Sequence, residues 1–304
     1  MIKSITVTNY LNESLTIDLR HPEQTGIVVR KIEGLGPCKA NINAKEMATG
    51  DGAVYNSARV NSRNIVLTLG FLFKNSIEDA RQLTYKYFPI KKNLKFLIET
   101  DNRIAETIGY VEENTPNIFS KDETTQISII CPDPYFYSAG ESGKNVTVFS
   151  GVEPVFEFQF SNESISENLL ELGQLQYSKE KVITYQGDSE VGINITIHAI
   201  GEASNIVIHN TRTRETMTID TTKLEQITGS GIVKGDEIQI STVKGDKYIS
   251  LLRDGVHTNI LNALTRDSDW FYLTKGDNIF AYTADEGAAN LLFKIENRVI
   301  YEGV

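Results

Sequence analysis

Short runs in which apolar and polar residues alternate constrain the fold more than any other feature of the sequence. In residues 15–19, 65–73 and 193–197 the odd-numbered positions are all apolar. A period of two residues is typical of strands that bury one face in an antiparallel sheet, because successive side chains point to opposite faces. We therefore predict a mainly β fold in which the odd-numbered residues of these runs face a core.

Turn-forming residues between strand-like runs predict three hairpins. The runs 94–98 and 104–111 flank Thr-Asp-Asn-Arg at 100–103, where Asp and Asn tolerate left-handed backbone conformations. Two further hairpins are predicted to close at 244–246 and at 254–255, and each of these turns contains a glycine.

One segment has helical rather than strand-like periodicity. Ser-Ile-Glu-Asp at 76–79 resembles a capping box, and apolar residues follow at helical spacing: Ala80, Leu83 and Tyr87. Pro89 cannot continue a helix, so the helix is predicted to end before it. A second, weaker helix is predicted over 164–172, where leucines follow a serine-rich entry.

The length of 304 residues is about twice that of a typical domain, so two domains are expected. Residues 131–137 contain two prolines, which do not fit the interior of a central strand, and a stretch with glycine and serine follows. We place the boundary there. The prediction is a first domain over 1–137, a linker over 138–145 and a second domain over 146–304.

The formal charge of −10 is concentrated in the second half of the chain. Residues 1–131 contain 16 Lys and Arg against 15 Asp and Glu, whereas residues 132–304 contain 14 against 25. A negative field repels phosphate backbones and anionic membranes, so nucleic acid and lipid are poor candidate partners for the second half. The first residues lack the apolar segment of a signal peptide, and no apolar run has the length of a membrane span, so we expect cytoplasmic synthesis.

The sequence contains no intact motif for catalysis, metal binding or cofactor binding, such as HExxH, GxSxG, Walker A, a Rossmann glycine pattern, an EF-hand loop or CxxC. Cys38 and Cys131 are 93 positions apart, and we expect small buried side chains rather than a disulfide or a nucleophile. The four histidines are scattered, and His198 falls on the polar face of its strand. We predict no enzymatic activity, no cofactor and no metal site.

Asp267, Asp269 and Trp270 form the most suggestive group in the acidic half, since carboxylates beside an aromatic face suit a sugar ring. This group keeps a carbohydrate-binding or glycosidase function open. The simpler interpretation is that the tryptophan packs in a core and that Asp-Ser-Asp forms a turn, because burying a tryptophan is favourable without any ligand.

Basic residues are spread through 30–63, around the Gly-Asp-Gly at 50–52. They include Lys31, Lys39, Lys45, Arg59 and Arg63. Such residues are compatible with contact to nucleic acid passing through a pore. Charged loops that pair with acidic neighbours in an oligomer are the simpler explanation.

Taken in order, short motifs of the first half resemble the distal tail proteins of siphovirus-type bacteriophages and related prophages. These motifs are residues 32–37 (IEGLGP), 50–52 (GDG), Arg59, 63–69 (RNIVLTL), the helix over 77–87, and 131–136 (CPDPYF). The second half is similar to the C-terminal half of many such proteins in 183–187, 192–197, 205–208, 235–238, 268–270, 273–278 and 301–304. The resemblance therefore covers nearly the full length.

This resemblance implies a non-enzymatic virion protein at the distal end of the phage tail. In this family the N-terminal domains form a homo-hexameric ring that joins the tail tube protein to the tail-tip or tail-associated lysin protein, and DNA passes through its lumen as cargo. The ring-forming domain is expected to be β-sandwich-like, with one helix and a hairpin. The C-terminal domain is expected to be a galectin-like β-sandwich, which in some members holds a receptor-binding protein.

Within such a ring we predict the interface in residues 27–65, because loops rich in glycine and charge between long strands are common sites of subunit contact. The candidate contacts are Arg59, Arg63, Asp51 and Lys39. The galectin sugar site uses a His-x-Asn-x-Arg pattern, whereas the nearest string here is His-Asn-Thr-Arg at 209–212. We therefore expect no galectin-type sugar site, and Asp267, Asp269 and Trp270 remain the alternative sugar contacts.

Overall fold

The computed structural model describes residues 1–47, 50–72, 77–118, 123–140, 143–153, 174–177 and 180–304. The chain divides into two compact units, one formed by Met1–Gly143 together with Ile300–Val304, and the other by Lys144–Val299. The last five residues, which the sequence prediction assigned to the second domain, thus belong to the first unit.

The elements of the first unit before the division are β1 (Ile2–Thr8), β2 (Ser14–Asp18), β3 (Ile27–Glu33), β4 (Ala40–Glu46), β5 (Ala53–Val60), β6 (Arg63–Phe71), α1 (Ile77–Tyr87), β7 (Asn93–Thr100), β8 (Ile104–Asn117), β9 (Thr124–Cys131) and β10 (Phe136–Ser138). Those of the second unit are β11 (Lys144–Val148), β12 (Ser150–Glu153), β13 (Gln174–Tyr177), β14 (Glu180–Tyr185), β15 (Val191–Gly192), β16 (Asn194–Ala199), β17 (Ile206–Asn210), β18 (Glu215–Ile219), α2 (Thr221–Thr228), β19 (Glu237–Ser241), β20 (Tyr248–Arg253), β21 (Val256–Asn259), β22 (Tyr272–Leu273), β23 (Gly276–Thr283) and β24 (Leu291–Arg298). The chain then returns to the first unit as β25 (Ile300–Tyr301).

A large antiparallel sheet with the strand order β2-β1-β7-β8-β9-β6-β3 dominates the first unit. Its strands bury alternate side chains, and the predicted inward positions of residues 15–19 and 65–71 lie in this core. Helix α1 covers part of the core with Ile77, Ala80, Leu83 and Tyr87, which confirms the predicted helix. Phe73, the last inward position of the predicted run 65–73, and Ser76, the predicted capping residue, lie outside the described residues, as does the second predicted helix over 164–172.

The second unit contains two main sheets with the strand orders β11-β24-β16-β19-β20-β21 and β14-β23-β17-β18. Tyr282 of β23 stacks on Phe293 of β24 with ring centroids 3.9 Å apart, so the two sheets share a core. The odd-numbered residues of 193–197 are buried and His198 is exposed, as the alternation predicts. The prediction of a mainly β fold is confirmed.

The three predicted hairpins are present. β7 pairs with β8 across 100–103, β19 pairs with β20 across 244–246, and β20 pairs with β21 across 254–255. Asp254 and Gly255 both have positive φ, of 52° and 78°, which is the backbone conformation that a tight two-residue turn requires.

Candidate interaction surface

β4 and β5 form a two-stranded hairpin that stands apart from the large sheet. Of the strands that the structure describes, they pair only with each other, and every residue of both strands is exposed. A two-stranded hairpin alone is at best marginally stable in water, because it has no packed face. Among the described residues this hairpin therefore lacks the packing that usually stabilises such an element.

The pairing register gives the hairpin one apolar face. Residues directly opposite each other in an antiparallel pair point to the same side, and here Ile42 lies opposite Ala58 and Ala44 lies opposite Tyr55. This face consists of Ala40, Ile42, Ala44, Ala53, Tyr55, Ala58 and Val60, with Glu46 opposite Ala53 at its end near the turn, and we call it the apolar face. Ile42 is 68% exposed and Tyr55 is 63% exposed. A contiguous apolar surface left open in this way marks an interaction site.

A β-bulge brings the apolar residues of the two strands into phase. Asn43 pairs with Ser57 and Ala44 pairs with Tyr55, so Asn56 is the extra residue. Without it, alternation from Ala58 would place Asn56 on the apolar face where Tyr55 now lies. The opposite face carries mostly polar residues, Asn41, Asn43, Lys45, Ser57 and Arg59, and the hairpin is amphipathic.

The base of the hairpin is held by Arg63, which is only 2% exposed. Its Nη1 donates to the carbonyl oxygens of Gly34 (2.5 Å) and Gly36 (2.7 Å), on the segment that leads into β4. Its Nε donates to the carbonyl of Pro134 at 2.7 Å, and Nη2 donates to the carbonyl of Glu302 at 2.6 Å. One guanidinium thus fastens both stems of the hairpin to two distant segments of the chain.

The charge of this guanidinium is compensated mainly by backbone dipoles. Its carbon atom lies 4.4 Å from the ring centroid of Phe136, which adds a cation–π contact. Burial lowers the pKa of Arg63, but an arginine pKa starts so far above neutrality that the side chain stays charged. We call Arg63, Phe136 and the backbone of Gly34, Gly36, Pro134 and Glu302 the Arg63 cluster.

The close approach in the cluster requires glycine at position 34. Gly34 has a φ of +85°, and a Cβ atom there would lie 2.0 Å from the carbonyl oxygen of Asn64. Any other residue would combine a left-handed backbone with a collision against β6. The glycine therefore permits the bend that presents two carbonyl groups to Arg63.

Residues 300–304 complete the cluster. Tyr301 pairs with Phe136, and the N–H of Val304 donates to the carbonyl of Leu35 at 3.0 Å. Arg103 donates to the carbonyl of Gly303 at 3.3 Å and lies 4.6 Å from the ring centroid of Tyr301. Four of the motifs that carry the family resemblance, 32–37, 63–69, 131–136 and 301–304, therefore meet at the base of the hairpin.

The predicted interface residues fall into two groups. Lys39, Asp51 and Arg59 are exposed on or beside the hairpin, and none forms an ion pair with a described residue. Arg63 instead lies inside the unit, because the carbonyl groups of four segments converge on it. The apolar face of the hairpin was missed, although the alternating Ala40, Ile42 and Ala44 were a signal for it.

The two cysteines lie close to the Arg63 cluster and are both free. Cys131 is buried, as expected, and burial raises the pKa of its thiol to about 11, so it stays protonated near neutrality. Cys38 is only partly buried, with Sγ 3.8 Å from the carbonyl of Pro134. A cleft of about 370 Å³ at the base of the hairpin is lined by Cys38, Lys39, Arg63 and neighbouring residues.

The candidate sugar contacts lie in the second unit. Asp267 and Asp269 are exposed, and Asp269 accepts a hydrogen bond from the N–H of Thr216 at 3.2 Å. Trp270 is partly exposed, and Nζ of Lys247 lies 5.2 Å from the centroid of its ring. The neighbouring Phe271 is the residue that enters the core, where it packs edge-on against Phe280 at 5.5 Å. The expectation that Trp270 packs in the core is therefore corrected.

Neither a metal cluster nor a membrane helix is found in the described part of the chain. No group of three or more His, Cys, Asp or Glu residues there is arranged to hold a metal ion. No described helix combines the length and the apolar character of a membrane span.

The fold of the whole chain is similar to that of a solved phage protein. The crystal structure of SPP1 Dit (gp 19.1), described as a paradigm of the hub adsorption apparatus in Gram-positive infecting phages, aligns with a TM-score of 0.65 and 12% identity over 98% of this chain and 99% of that chain. Chains of the phage P2 baseplate in its activated conformation, with Ca and with Sr, align with TM-scores of 0.49 and 0.48 and identities of 12% and 13%, over 98% and 97% of each chain. No protein-family model matches the sequence, and a comparison with curated proteins gives no match. Over nearly its full length, this chain has the fold of the SPP1 Dit hub protein.

Proposed function

We propose that this chain is a distal tail hub protein of a long-tailed bacteriophage. In this role it forms a hexameric ring that joins the tail tube protein to the tail-tip or tail-associated lysin protein, with a lumen for the passing DNA. It acts at the distal end of the virion tail as a structural component, without catalysis. The observation that carries the proposal is the uncovered amphipathic hairpin on a chain with the fold of a phage hub protein.

The hairpin supports self-association because no described residue of its own chain covers its apolar face. Burying a large apolar side chain is worth about 1.5–3 kcal/mol. The face carries three such residues, Ile42, Tyr55 and Val60, so covering it would stabilise a subunit contact by several kcal/mol.

The charge distribution is compatible with this arrangement. Residues 1–131 carry nearly balanced charge, so copies of the first unit can pack together without strong mutual repulsion. The excess of acidic residues lies in 132–304, which suits the periphery of a ring better than its contacts.

The proposal is tested by the mass and shape of the purified protein. We expect light scattering to give 204 kDa, six times the 34.0 kDa of one chain, and negative-stain images to show ring-shaped particles. Ile42→Glu should shift the mass to that of one chain, because it places a carboxylate on the apolar face. Val182→Glu is the matched control, since Val182 is exposed on β14 of the second unit.

Two outcomes would contradict the proposal. One is a protein that stays at the mass of a single chain both alone and with its tail tube and tail-tip proteins. The other is an oligomer that Ile42→Glu and Val182→Glu affect equally.

A second candidate function, binding of a host carbohydrate by the second unit, is favoured by one observation. Trp270 and Tyr272 are both partly exposed, and Nζ of Lys247 lies 5.2 Å from the centroid of each ring. Aromatic faces beside Asp267 and Asp269 suit a sugar ring. We expect weak binding to a host wall polysaccharide that Trp270→Ala abolishes in a folded protein. If the protein binds no glycan on a glycan array, this function is dismissed. The function is compatible with the hub role.

A further inference from the structure

A ring built from head-to-tail contacts needs two different surfaces on each copy, one that donates and one that receives. The apolar face of the hairpin supplies one of them. The second is found on the side of the large sheet that faces away from the core.

The outward side of the large sheet changes character across its strands. On β1 and β2 it carries hydroxyl residues that bond to each other, with Thr6 and Thr16 at 2.9 Å and Thr8 and Ser14 at 2.8 Å. This is the ordinary solvent face of an antiparallel sheet. The pairing register continues the same side onto β7, where Thr6 lies opposite Leu97.

On β7, β8 and β9 the same side carries large apolar residues around one ion pair, in which Lys95 lies 2.7 Å from Glu106. We call the residues Leu97, Ile108, Tyr110 and Ile130 the outer patch. Ile108 is 57% exposed and Tyr110 is 46% exposed. On the same side of the sheet, β1 and β2 expose hydroxyl residues to solvent, whereas the outer patch exposes large apolar side chains. Exposed apolar side chains that cluster in this way mark a contact surface.

An acidic pair lies beside the outer patch and a basic pair lies on the polar face of the hairpin. The hairpin also carries Glu46 near its tip and Asp51 in its turn. Glu112 and Glu113 follow Tyr110 on β8, are exposed, and form no ion pair with a described residue. Lys45 and Arg59 are exposed on the polar face of the hairpin and are likewise unpaired among the described residues. Lysine and arginine have long flexible stems that can reach past the edge of a two-stranded ribbon.

We propose that the hairpin of one copy lies on the outer patch of the next copy. Its apolar face covers Ile108 and Tyr110, and Lys45 and Arg59 approach Glu112 and Glu113. This inference rests on the proposed ring and adds the surface that receives the hairpin. Each copy thereby uses both surfaces, one toward each neighbour, and the contact repeats around the ring.

Chemical cross-linking tests the pairing of the two surfaces. In a Cys38→Ser background, Ile42→Cys combined with Ile108→Cys and treated with a short bis-maleimide should give a ladder of linked chains that ends at the closed oligomer. Each single variant should give no ladder. Ile42→Cys combined with Thr16→Cys is the matched control, because Thr16 is exposed on the same side of the sheet, on the hydroxyl half.

The outcomes separate this inference from the proposed function. If the protein is oligomeric but the ladder is absent from the Ile108 pair or as strong with the Thr16 pair, the hairpin docks elsewhere and only this inference is overturned. If no variant is oligomeric and no ladder forms, the ring itself is contradicted.

Charge reversal supplies a second readout that does not depend on cysteine chemistry. Lys45→Glu with Arg59→Glu should lower the oligomer fraction at least tenfold, and adding Glu112→Lys with Glu113→Lys should restore it. The assigned contact would be overturned if the first variant kept an unchanged oligomer fraction, or if the variant with all four substitutions did not recover it.

Discussion

Arg59 and Arg63 are four residues apart, yet they occupy opposite environments. Arg59 is exposed on the hairpin without a described ion-pair partner, whereas Arg63 is almost fully buried and donates to four carbonyl groups. The regions around them differ in the same way. Both faces of the hairpin are exposed, whereas the Arg63 cluster at its base is joined by several hydrogen bonds. The Arg63 cluster thus holds the base of the hairpin in place, while the strands of the hairpin stay exposed for contact with another molecule.

The largest effect should follow from removing the guanidinium at the base. Arg63→Met removes a buried guanidinium that donates to four carbonyl groups, and we expect it to lower the free energy of unfolding by about 3–5 kcal/mol. Denaturant unfolding of the variant beside Arg59→Met would measure this. If the two variants lost the same free energy of unfolding, the two arginines would contribute equally to stability and the comparison would be wrong.

A smaller loss is expected at the glycine that presents two of those carbonyls. Gly34→Ala should lower the free energy of unfolding by about 2–3 kcal/mol, because a Cβ atom would collide with Asn64 on a left-handed backbone. Gly52→Ala is the control, since Gly52 has a φ of +96° and nothing within 4 Å of the added carbon. It should cost only about 1 kcal/mol. Thermal or denaturant melts of both variants would show whether the collision matters.

The smallest effect is expected on the hairpin itself. Ile42→Ser and Arg59→Met should change the free energy of unfolding of the single chain by less than about 0.5 kcal/mol, since both side chains are exposed. The measurement belongs at a protein concentration where the chain is monomeric, because assembly would add its own stabilisation. A loss above about 1 kcal/mol would mean that the hairpin packs within its own chain.

The sequence predicted the local structure where a single pattern controlled it. The alternation in 65–71 and 193–197 identified buried strand faces, and the turn residues at 100–103 and 254–255 identified hairpins. Helix α2 was not predicted, because eight residues are too few for a helical period to stand out. Its two ends are defined by structural features, the Asp220 cap at its start and the left-handed Gly229 at its end.

The candidate site was harder to predict from the sequence, because it is formed by residues that lie far apart in the chain. An arginine in a basic stretch reads as a surface residue, and the burial of Arg63 depends in part on Glu302, which lies 239 positions away. The apolar face of the hairpin was hidden because several of its members are alanines and because the extra Asn56 interrupts the alternation. Trp270 and Phe271 are adjacent, and only the path of the loop decides which of the two enters the core.

The return of the chain as β25 has a consequence for how such a protein can diversify. The second unit leaves the first after β10 and re-enters it at β25, and Tyr137 lies directly opposite Ile300, about 5 Å away across the pair. The second unit is therefore an insertion between two paired strands of the first, so we expect that a different domain whose ends lie equally close together could replace it. We expect a chain in which a short turn joins β10 to β25 to fold cooperatively, whereas one that simply stops at 137 lacks the Glu302 and Val304 contacts and should melt at a lower temperature.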